Sequence, residues 1–250
     1  MVIALEKLGQ YWLFQLDVFK WMVKPPFRGY LVIEQIEKIG VQSIPIILLS
    51  SFTIGMIFAL QLGSFLVMFR AEMLVGAAVA KTLTRELAPV VTALMLIART
   101  GSAMTAELGT MRSTEQIDAM ETMSVNPIQY LVVPRIIASL FSFPVLTAIA
   151  NLVGVVGSYL ISVIIRHVDK AGFLDQLYAY VEPVDIVSSL IKAAVMGFLV
   201  SIVCCFYGYY AKGGSQGVGD AATRAVVTSS VGILVADYIM ADIMLKVLFV

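Results

Sequence analysis

The stretch that decides the fold is IGVQSIPIILLSSFTIGMIFALQLGSFLVMF, which runs from Ile39 to Phe69 without a charged residue. A helix needs about 20 mainly apolar residues to cross a bilayer core about 30 Å thick. This stretch is therefore long enough to cross a membrane. Two further charge-free stretches, Ile136 to Ile165 and Ala193 to Ala211, predict two more crossings.

Two other apolar segments contain charges. Residues 83–106 carry Arg85, Glu86 and Arg99, and residues 225–250 carry Asp237, Asp242 and Lys246. Because both segments are long and mainly apolar, we predict that they also cross the membrane. The predicted fold class is an all-α membrane protein with five transmembrane helices.

The composition also indicates a bilayer environment. Of the 250 residues, 60% are hydrophobic and 14% are charged, and the mean hydropathy is +0.92, whereas soluble domains are near half apolar and a quarter charged. Basic and acidic residues balance at 17 each, which excludes the basic surface typical of nucleic-acid binding. The adjacent Cys204 and Cys205 and the single His167 provide no zinc set and no Ser-His-Asp triad. We therefore expect no catalytic residue, no metal site and no cofactor on this chain.

The N-terminal region differs from the rest of the chain. Lys7, Asp17, Lys20 and Lys24 interrupt any apolar core, so we do not expect a signal peptide. Aromatic residues alternate with these charges, as is typical of an amphipathic helix in the headgroup layer; they are Tyr11, Trp12, Phe14, Phe19 and Trp21. We predict that residues 1–38 form this interfacial segment and residues 39–250 the transmembrane domain. A short helix packed on the body of the protein is the alternative.

The side of the membrane that holds the N-terminus is predicted from the basic residues between the spans. With five spans, the N-terminus shares its side with the loops at residues 99–135 and 212–224. That side carries more Lys and Arg than the other. The excess favours a cytoplasmic N-terminus.

The loop between the second and third predicted spans suggests a docking helix. Ser113 and Gln116 have the spacing of a capping box, and Asn126-Pro127 should end the helix. This helix is too short to cross a bilayer. Its acidic and apolar residues follow helical spacing on adjacent faces; they are Glu115, Asp118 and Glu121, and Ile117, Met120 and Met123. The pattern predicts a helix that docks on a partner, or else one whose apolar side packs on the protein's own helices.

Charges inside predicted spans are functional candidates, because an unpaired charge in a bilayer is costly. These residues are Arg85, Glu86, Lys192, Asp237 and Asp242. Pro89 should kink or begin a helix next to Arg85 and Glu86. Residues 166–192 are predicted to form a partly helical loop, so that Lys192 opens the fourth span. Glu86 and Lys192 either share an interior cavity and pair there, or mark the interfacial ends of helices.

Two small-residue patterns complete the sequence evidence. Ala150, Gly154, Ser158 and Ser162 recur every four residues, which allows close helix packing within the chain or across a dimer. Asn151 could add an interhelical hydrogen bond. The segment Gly213–Asp220 lacks the Lys-Ser/Thr of a P-loop, so we predict a flexible turn there and no ATP hydrolysis by this chain.

Several ordered motifs resemble one known family. They are REL-APV at residues 85–90, ARTGSA at 98–103, AELGTM at 106–111, TEQIDAM at 114–120, Asn126-Pro127, VPR at 133–135 and ATRAVV at 222–227. These motifs resemble the MlaE/YrbE family, the permease subunits of ABC transporters that work with MCE proteins. The resemblance covers roughly residues 30–250 and is densest over 85–135. Ala88 departs from the family, in which many members have Gly before this proline.

The resemblance implies a homodimeric permease of the bacterial inner membrane that is driven by a separate cytoplasmic ATPase, which binds ATP and Mg²⁺. It implies phospholipid transfer to a periplasmic ring of MCE-domain protein, a role in outer-membrane lipid asymmetry or lipid trafficking, and in some complexes a small STAS-type subunit. A lipid cavity would lie beside Arg85, Glu86 and Lys192. The coupling helix would lie in the loop at about residues 104–126, with ATPase contacts from Glu107, Glu115, Gln116, Asp118 and Glu121. Gly154 and Ser158 would serve helix packing.

Two other functions compete with this one. An ion-gradient-driven secondary transporter would use Glu86, Asp237 and Asp242 as a relay, although no inverted repeat is visible. A membrane enzyme acting on lipids would need a nucleophile with a base, or a metal set, and the sequence offers neither.

Overall fold

The computed structural model describes residues 2–25 and 28–248, with side chains for residues 9–25 and 28–246. Every regular element in these ranges is a helix. The α-helices are α1 Val2–Val23, α2 Gly29–Ile39, α3 Ile44–Val67, α4 Val75–Thr82, α5 Ala88–Leu96, α6 Ser102–Ser113, α7 Gln116–Thr122, α8 Val133–Tyr159, α9 Lys170–Tyr180, α10 Pro183–Tyr209 and α11 Gly214–Leu248. Lys7, which belongs to the predicted interfacial segment, lies outside the described side chains.

Five helical runs are long and apolar enough to cross a membrane. They are Gly29–Val67, Glu72–Ser113, Ile128–Ile165, Pro183–Tyr209 and Gly214–Lys246, which we number as the first to fifth spans. The predicted all-α membrane fold with five spans is thus confirmed. The predicted division of the chain at residue 38 stays a prediction, although one helical run passes through that point.

Two of the prolines inside the long runs, Pro89 and Pro134, follow wider helical turns. Leu83–Leu87 and Ile128–Val132 are π-helical, and each ends just before Pro89 or Pro134. A proline has no N–H and its ring clashes with the carbonyl four residues earlier. A π-turn relieves that clash without ending the helix, so the second and third spans continue through their prolines.

The fourth span begins earlier than the sequence predicted. α10 begins at Pro183, and α9 occupies residues 170–180, so most of the predicted loop at 166–192 is helical. Proline is favoured at the first position of a helix, and Asp185 lies in the first turn, where a carboxylate stabilises the helix dipole. Lys192 therefore lies well inside a span, and its predicted position at the start of the span was wrong.

The glycine-rich segment Gly213–Asp220 also differs from the flexible turn that the sequence predicted. α11 begins at Gly214, so most of Gly213–Asp220 is helical and only its first residues turn. Gly213 and Gly214 have φ of 99° and 64°, a backbone conformation that glycine adopts without strain. A Cβ on Gly217 would clash with the carbonyl of Lys212, so glycine there allows the chain to fold back tightly.

The chain forms two compact units. Unit 1 contains Met1–Val41, Leu96–Ser142 and Gly197–Ile233, and unit 2 contains Gln42–Met95, Phe143–Met196 and Leu234–Val250. The core of unit 1 includes Phe14, Leu108, Ile117, Ile136 and Tyr209. The core of unit 2 includes Ala59, Val75, Val79, Leu83 and Ile161. Each unit holds one of the two groups of candidate functional residues described below.

Candidate functional site

A buried lysine lies at the centre of a charged cluster in unit 2. The Lys192 side chain is 2% exposed, and its Nζ lies 2.6 Å from Glu86 Oε2 and 3.4 Å from Asp237 Oδ1. The same Nζ donates to the Arg85 carbonyl oxygen at 3.0 Å. A buried ammonium is tolerated only when paired and hydrogen-bonded. The pairing predicted for Glu86 and Lys192 is observed, and the alternative position of Lys192 at an interfacial helix end is excluded.

The Arg85 side chain has a different partner from its neighbour Glu86. Its Nε lies 2.5 Å from Oδ1 of Asp185, which is fully buried. The other carboxylate oxygen of Asp185 accepts the backbone N–H of Glu182 at 3.1 Å. Successive residues of a helix project in directions about 100° apart. Arg85 and Glu86 therefore contact two positions of α10, Asp185 and Lys192.

Asp185 was not identified as a site residue from the sequence, because it was assigned to a loop. One signal could have revealed it. Asp185 and Lys192 are seven residues apart, close to two helical turns, so both project from the same face of α10. The sequence carries the matching opposite charges side by side at Arg85 and Glu86.

A small cavity lies beside this cluster. Its volume is about 50 Å³, and its lining includes Arg85, Glu86, Ser188 and Lys192. That volume holds one or two water molecules. Asp242 belongs to neither cluster nor cavity, because its carboxylate binds Lys246 at 2.7 Å on the exposed surface of α11. Of the three relay carboxylates predicted for an ion-driven transporter, the structure brings together Glu86 and Asp237 only.

The predicted coupling segment lies in unit 1 as two short helices. The predicted capping box at Ser113 and Gln116 was wrong, because α6 continues through Ser113 and α7 begins at Gln116. Glu115 stands between them with φ of 58°. This left-handed residue reverses the chain direction and leaves Ser113 inside the preceding helix, where its side chain cannot cap the next one.

The side chains of α7 divide into a buried and an exposed group. Ile117 is fully buried in the core of unit 1, so part of the apolar face packs on the protein's own helices. Glu115, Gln116 and Asp118 are exposed, and Met123 is 68% exposed. This segment thus presents acidic groups and an apolar side chain together.

One ion pair and one hydrogen bond hold α7 in place. Arg112 Nη1 lies 2.5 Å from Asp118 Oδ1, and the Tyr209 hydroxyl donates to Glu121 Oε1 at 3.1 Å. Glu107 is different from the other predicted coupling residues. Its carboxylate accepts from the buried Arg135 of α8 at 2.7 Å, although its side chain is 45% exposed.

Comparison with known proteins identifies the family. A family model described as Permease MlaE matches residues 32–243. The chain belongs to the MlaE permease family. Its relatives include a probable ABC transporter permease protein of Rickettsia felis, which is 40% identical over 242 residues, 97% of this chain and 93% of that protein. The intermembrane phospholipid transport system permease protein MlaE of Haemophilus influenzae is 40% identical over 224 residues, 88% of this chain and 86% of that protein.

A plant relative belongs to the same group of sequences. The chloroplastic protein TRIGALACTOSYLDIACYLGLYCEROL 1 of Arabidopsis thaliana is 37% identical over 210 residues, 84% of this chain and 60% of that protein. The resemblance inferred from the motifs at residues 85–135 is therefore confirmed. This MlaE permease is a multi-pass membrane subunit of an ABC transporter, and the ATPase is a separate partner protein.

The small-residue stripe of this permease packs within unit 2. A Cβ added to Gly55 of α3 would clash with the backbone of Gly154 in α8, so the two helices are in contact at these glycines. Ser158 is fully buried, and Asn151 Nδ2 donates to Ser189 Oγ at 3.1 Å. Packing within the chain accounts for Gly154. Sequence analysis missed the matching stripe on α3, which comprises Ser51, Gly55, Ala59 and Gly63.

The N-terminal helix of the permease has two apolar faces. Phe14 and Val18 are buried in the core of unit 1. Trp12, Leu13 and Leu16 are at least 60% exposed. The first face matches a helix packed on the body of the protein, and the second supplies the apolar surface that an interfacial helix needs. The packing of α1 on the body of the protein is therefore observed, and its position in the headgroup layer stays a prediction.

Proposed function

We propose that this permease moves phospholipid between the bacterial inner membrane and a conduit of MCE-domain protein. In this proposal two copies form a homodimer, the N-terminus faces the cytoplasm, and a cytoplasmic ATPase that binds ATP and Mg²⁺ drives the cycle. A STAS-type subunit joins the complex in the cytoplasm, and the transport contributes to outer-membrane lipid asymmetry or lipid trafficking. The name of the Haemophilus relative, an intermembrane phospholipid transport permease, supports the choice of cargo.

The observation that carries the proposal is the pairing of Lys192 with Glu86 and Asp237. A charge this deep in a spanning helix is costly and is retained where a polar group must enter the membrane. The ammonium of Lys192 and the guanidinium of Arg85 are the groups that bind a phosphate. Glu86 is 46% exposed at its side chain, so it is the partner that a phosphate can displace.

The small volume of this cavity means that the cluster must rearrange before a lipid headgroup can bind. About 50 Å³ is too small for a lipid headgroup, so headgroup binding requires the Lys192 ion pairs to open. ATP binding can favour the open arrangement only if the ATPase binds the two arrangements with different affinity. We assign that contact to the exposed group around Glu115, Gln116 and Asp118, with Met123 as its apolar member.

The proposal is tested by reconstituting the permease with its ATPase in vesicles that contain a fluorescent phospholipid. Lys192→Met keeps the length of the side chain and removes the charge, and we expect ATP-dependent lipid transfer to fall at least about tenfold. Lys246→Met is the matched control, because Lys246 is exposed and its pair with Asp242 lies on one helix. Glu86→Gln provides a second variant with unchanged shape, should Lys192→Met fail to fold.

Two results would contradict the proposal. One is lipid transfer by Lys192→Met and Glu86→Gln at the rate of the unaltered protein. The other is transport that follows an ion gradient and needs no ATPase. The second result would favour the ion-driven alternative, with Glu86 and Asp237 as the carboxylates of a relay.

A further inference from the structure

A cavity in unit 1 has no role in the proposed transport step. Its volume is about 910 Å³, and it lies among α1, the end of α10 and the first half of α11. Ligand cavities in proteins have volumes of roughly 300–1,000 Å³. The cavity shares no lining residue with the small cavity beside Lys192.

Along α10 the lining of this cavity changes from polar to apolar, whereas on α11 it includes Thr228 and Ser229 beyond Arg224. Arg112, Lys212 and Arg224 lie at one end, where the second and fourth spans end and the fifth begins. Tyr207 at the end of α10 and Tyr210 just after it follow, and Leu199 and Val203 lie further back along α10. The order is cationic, then aromatic, then aliphatic. The same order of headgroup, interface and acyl region is found across one leaflet of a bilayer.

The length of the cavity agrees with one leaflet. Its lining on α11 extends from Gly217 to Gly232, which corresponds to about 22 Å of helix. One leaflet, including its headgroup layer, is about half of a 40–45 Å bilayer. A transmembrane helix of another protein would need a groove along a complete span, whereas this cavity covers the equivalent of one leaflet.

The charge of the polar end favours an anion. Arg112 is neutralised by Asp118. Within the described side chains, Lys212 and Arg224 form no ion pair with a carboxylate, and Asp220 is the acidic residue among the lining side chains. Burial raises the pKa of the Tyr11 and Tyr210 hydroxyls above their usual range. Both phenols therefore remain protonated at neutral pH and can donate hydrogen bonds to an oxyanion.

From these observations we infer that the cavity binds one anionic phospholipid, with its headgroup at Lys212 and Arg224 and an acyl chain along Val203 and Gly232. Basic cavities between transmembrane helices bind anionic lipid headgroups in this manner. The bound lipid would fill the space between α1 and α11 and fix α1 against the bundle. This site is a resident lipid site and not the transport site.

The test uses the permease purified in mild detergent and native mass spectrometry with added dioleoyl-phosphatidylglycerol or dioleoyl-phosphatidylcholine. We expect one phosphatidylglycerol per chain, retained under activation that removes phosphatidylcholine. Lys212→Gln with Arg224→Gln should weaken this binding about 30-fold, because each cation near a headgroup contributes a few-fold in affinity. Arg70→Gln with Lys170→Gln, two exposed cations of unit 2, removes the same charge and should leave binding unchanged.

A second variant distinguishes a lipid from a free anion. A Cβ on Gly232 would meet open space, so Gly232→Phe can fill the apolar end without a backbone clash. We expect it to weaken phosphatidylglycerol binding, and we expect inorganic phosphate at the same concentration not to displace the lipid.

Three outcomes would overturn the inference. They are equal retention of the two lipids, displacement by phosphate with no effect of Gly232→Phe, and a co-purified transmembrane protein that protects the cavity in place of lipid. Lys192→Met serves to separate the two proposals. It should lower ATP-driven transfer at least about tenfold and leave phosphatidylglycerol retention intact, so either proposal can fail without the other.

Discussion

The Tyr209 hydroxyl donates a hydrogen bond to Glu121 Oε1 at 3.1 Å across 88 positions of sequence. Tyr209 is the last residue of α10, and Glu121 belongs to α7. The bond therefore joins the end of the fourth span to the segment that we assign to the ATPase contact. This hydrogen bond links a movement of α7 directly to α10.

The first prediction concerns that connection. Tyr209→Phe keeps the ring in the core of unit 1 and removes the hydroxyl, at a stability cost of about 1 kcal/mol. We expect a normal level of protein in the membrane and a few-fold weaker stimulation of ATPase activity by lipid. The measurement is ATP hydrolysis by the reconstituted complex. Tyr178→Phe, at a residue that is 78% exposed, is the control, and equal effects of the two changes would contradict the prediction.

The second prediction concerns the acidic docking surface. Glu115→Lys and Asp118→Lys each reverse a charge on the exposed side of the α7 segment, and like charges across an interface weaken binding strongly. We expect each variant to reach the membrane and to lose at least about tenfold in ATPase association, measured by co-purification. Asp175→Lys, an exposed reversal on α9, should retain the ATPase. Normal association of both α7 variants would show that the acids do not form the contact.

The third prediction concerns the ion pair between the buried Arg135 and the half-exposed Glu107 in unit 1. Glu107→Gln leaves the guanidinium of Arg135, which is 4% exposed, without a carboxylate partner. We expect a loss of about 1–3 kcal/mol in the free energy of unfolding, visible as a lower Tm in detergent. Glu34→Gln removes the carboxylate of an exposed pair with Lys38, and its effect should be within about 0.5 kcal/mol. If the two variants melt at the same temperature, Glu107 does not stabilise Arg135.

The fourth prediction concerns the contact between α3 and α8. Gly55→Ala places a methyl group against the backbone of Gly154, which cannot move aside as a flexible side chain would. We expect a destabilisation of about 1–3 kcal/mol. Gly219→Ala is the control, and we expect it to be stabilising. Its Cβ meets nothing within 4 Å, and alanine stabilises a helix by about 0.5–1 kcal/mol over glycine. Thermal unfolding of both variants checks the contrast, and a neutral Gly55→Ala would contradict the close contact.

Errors in the sequence-based predictions occurred where local signals competed with tertiary contacts. The Ser113 and Gln116 spacing indicated a cap, but Glu115 adopts a left-handed conformation and Ser113 ends the preceding helix. The glycines after Lys212 indicated a flexible turn, but only Gly213 and Gly214 turn and the fifth span begins there. In both cases the local sequence is compatible with two conformations, and packing selects one.

The charges in α10 show that local sequence signals also failed to predict part of the candidate site. Asp185 and Lys192 made residues 166–192 look like a loop, since charged residues usually end a transmembrane segment. In the structure Asp185 binds Arg85, and Lys192 binds Glu86 and Asp237. These pairs satisfy the charges, and the helix therefore continues through them.

The sequence by itself determined the membrane class, the five spans and the family. Hydropathy over about 20 residues is a local property, and the bilayer requires that length from each helix regardless of its neighbours. The motifs between residues 85 and 135 are likewise read directly from the chain.

Only the tertiary structure decided which charges meet. Glu86 and Lys192 are 106 residues apart, and Arg85 and Asp185 are 100 apart. Their pairing depends on which faces of α10 and the π-turn at Leu83–Leu87 pack together, and no local pattern specifies that choice. The physical reason is that a crossing helix is fixed by its own composition, whereas a buried ion pair is fixed by the positions of two helices at once.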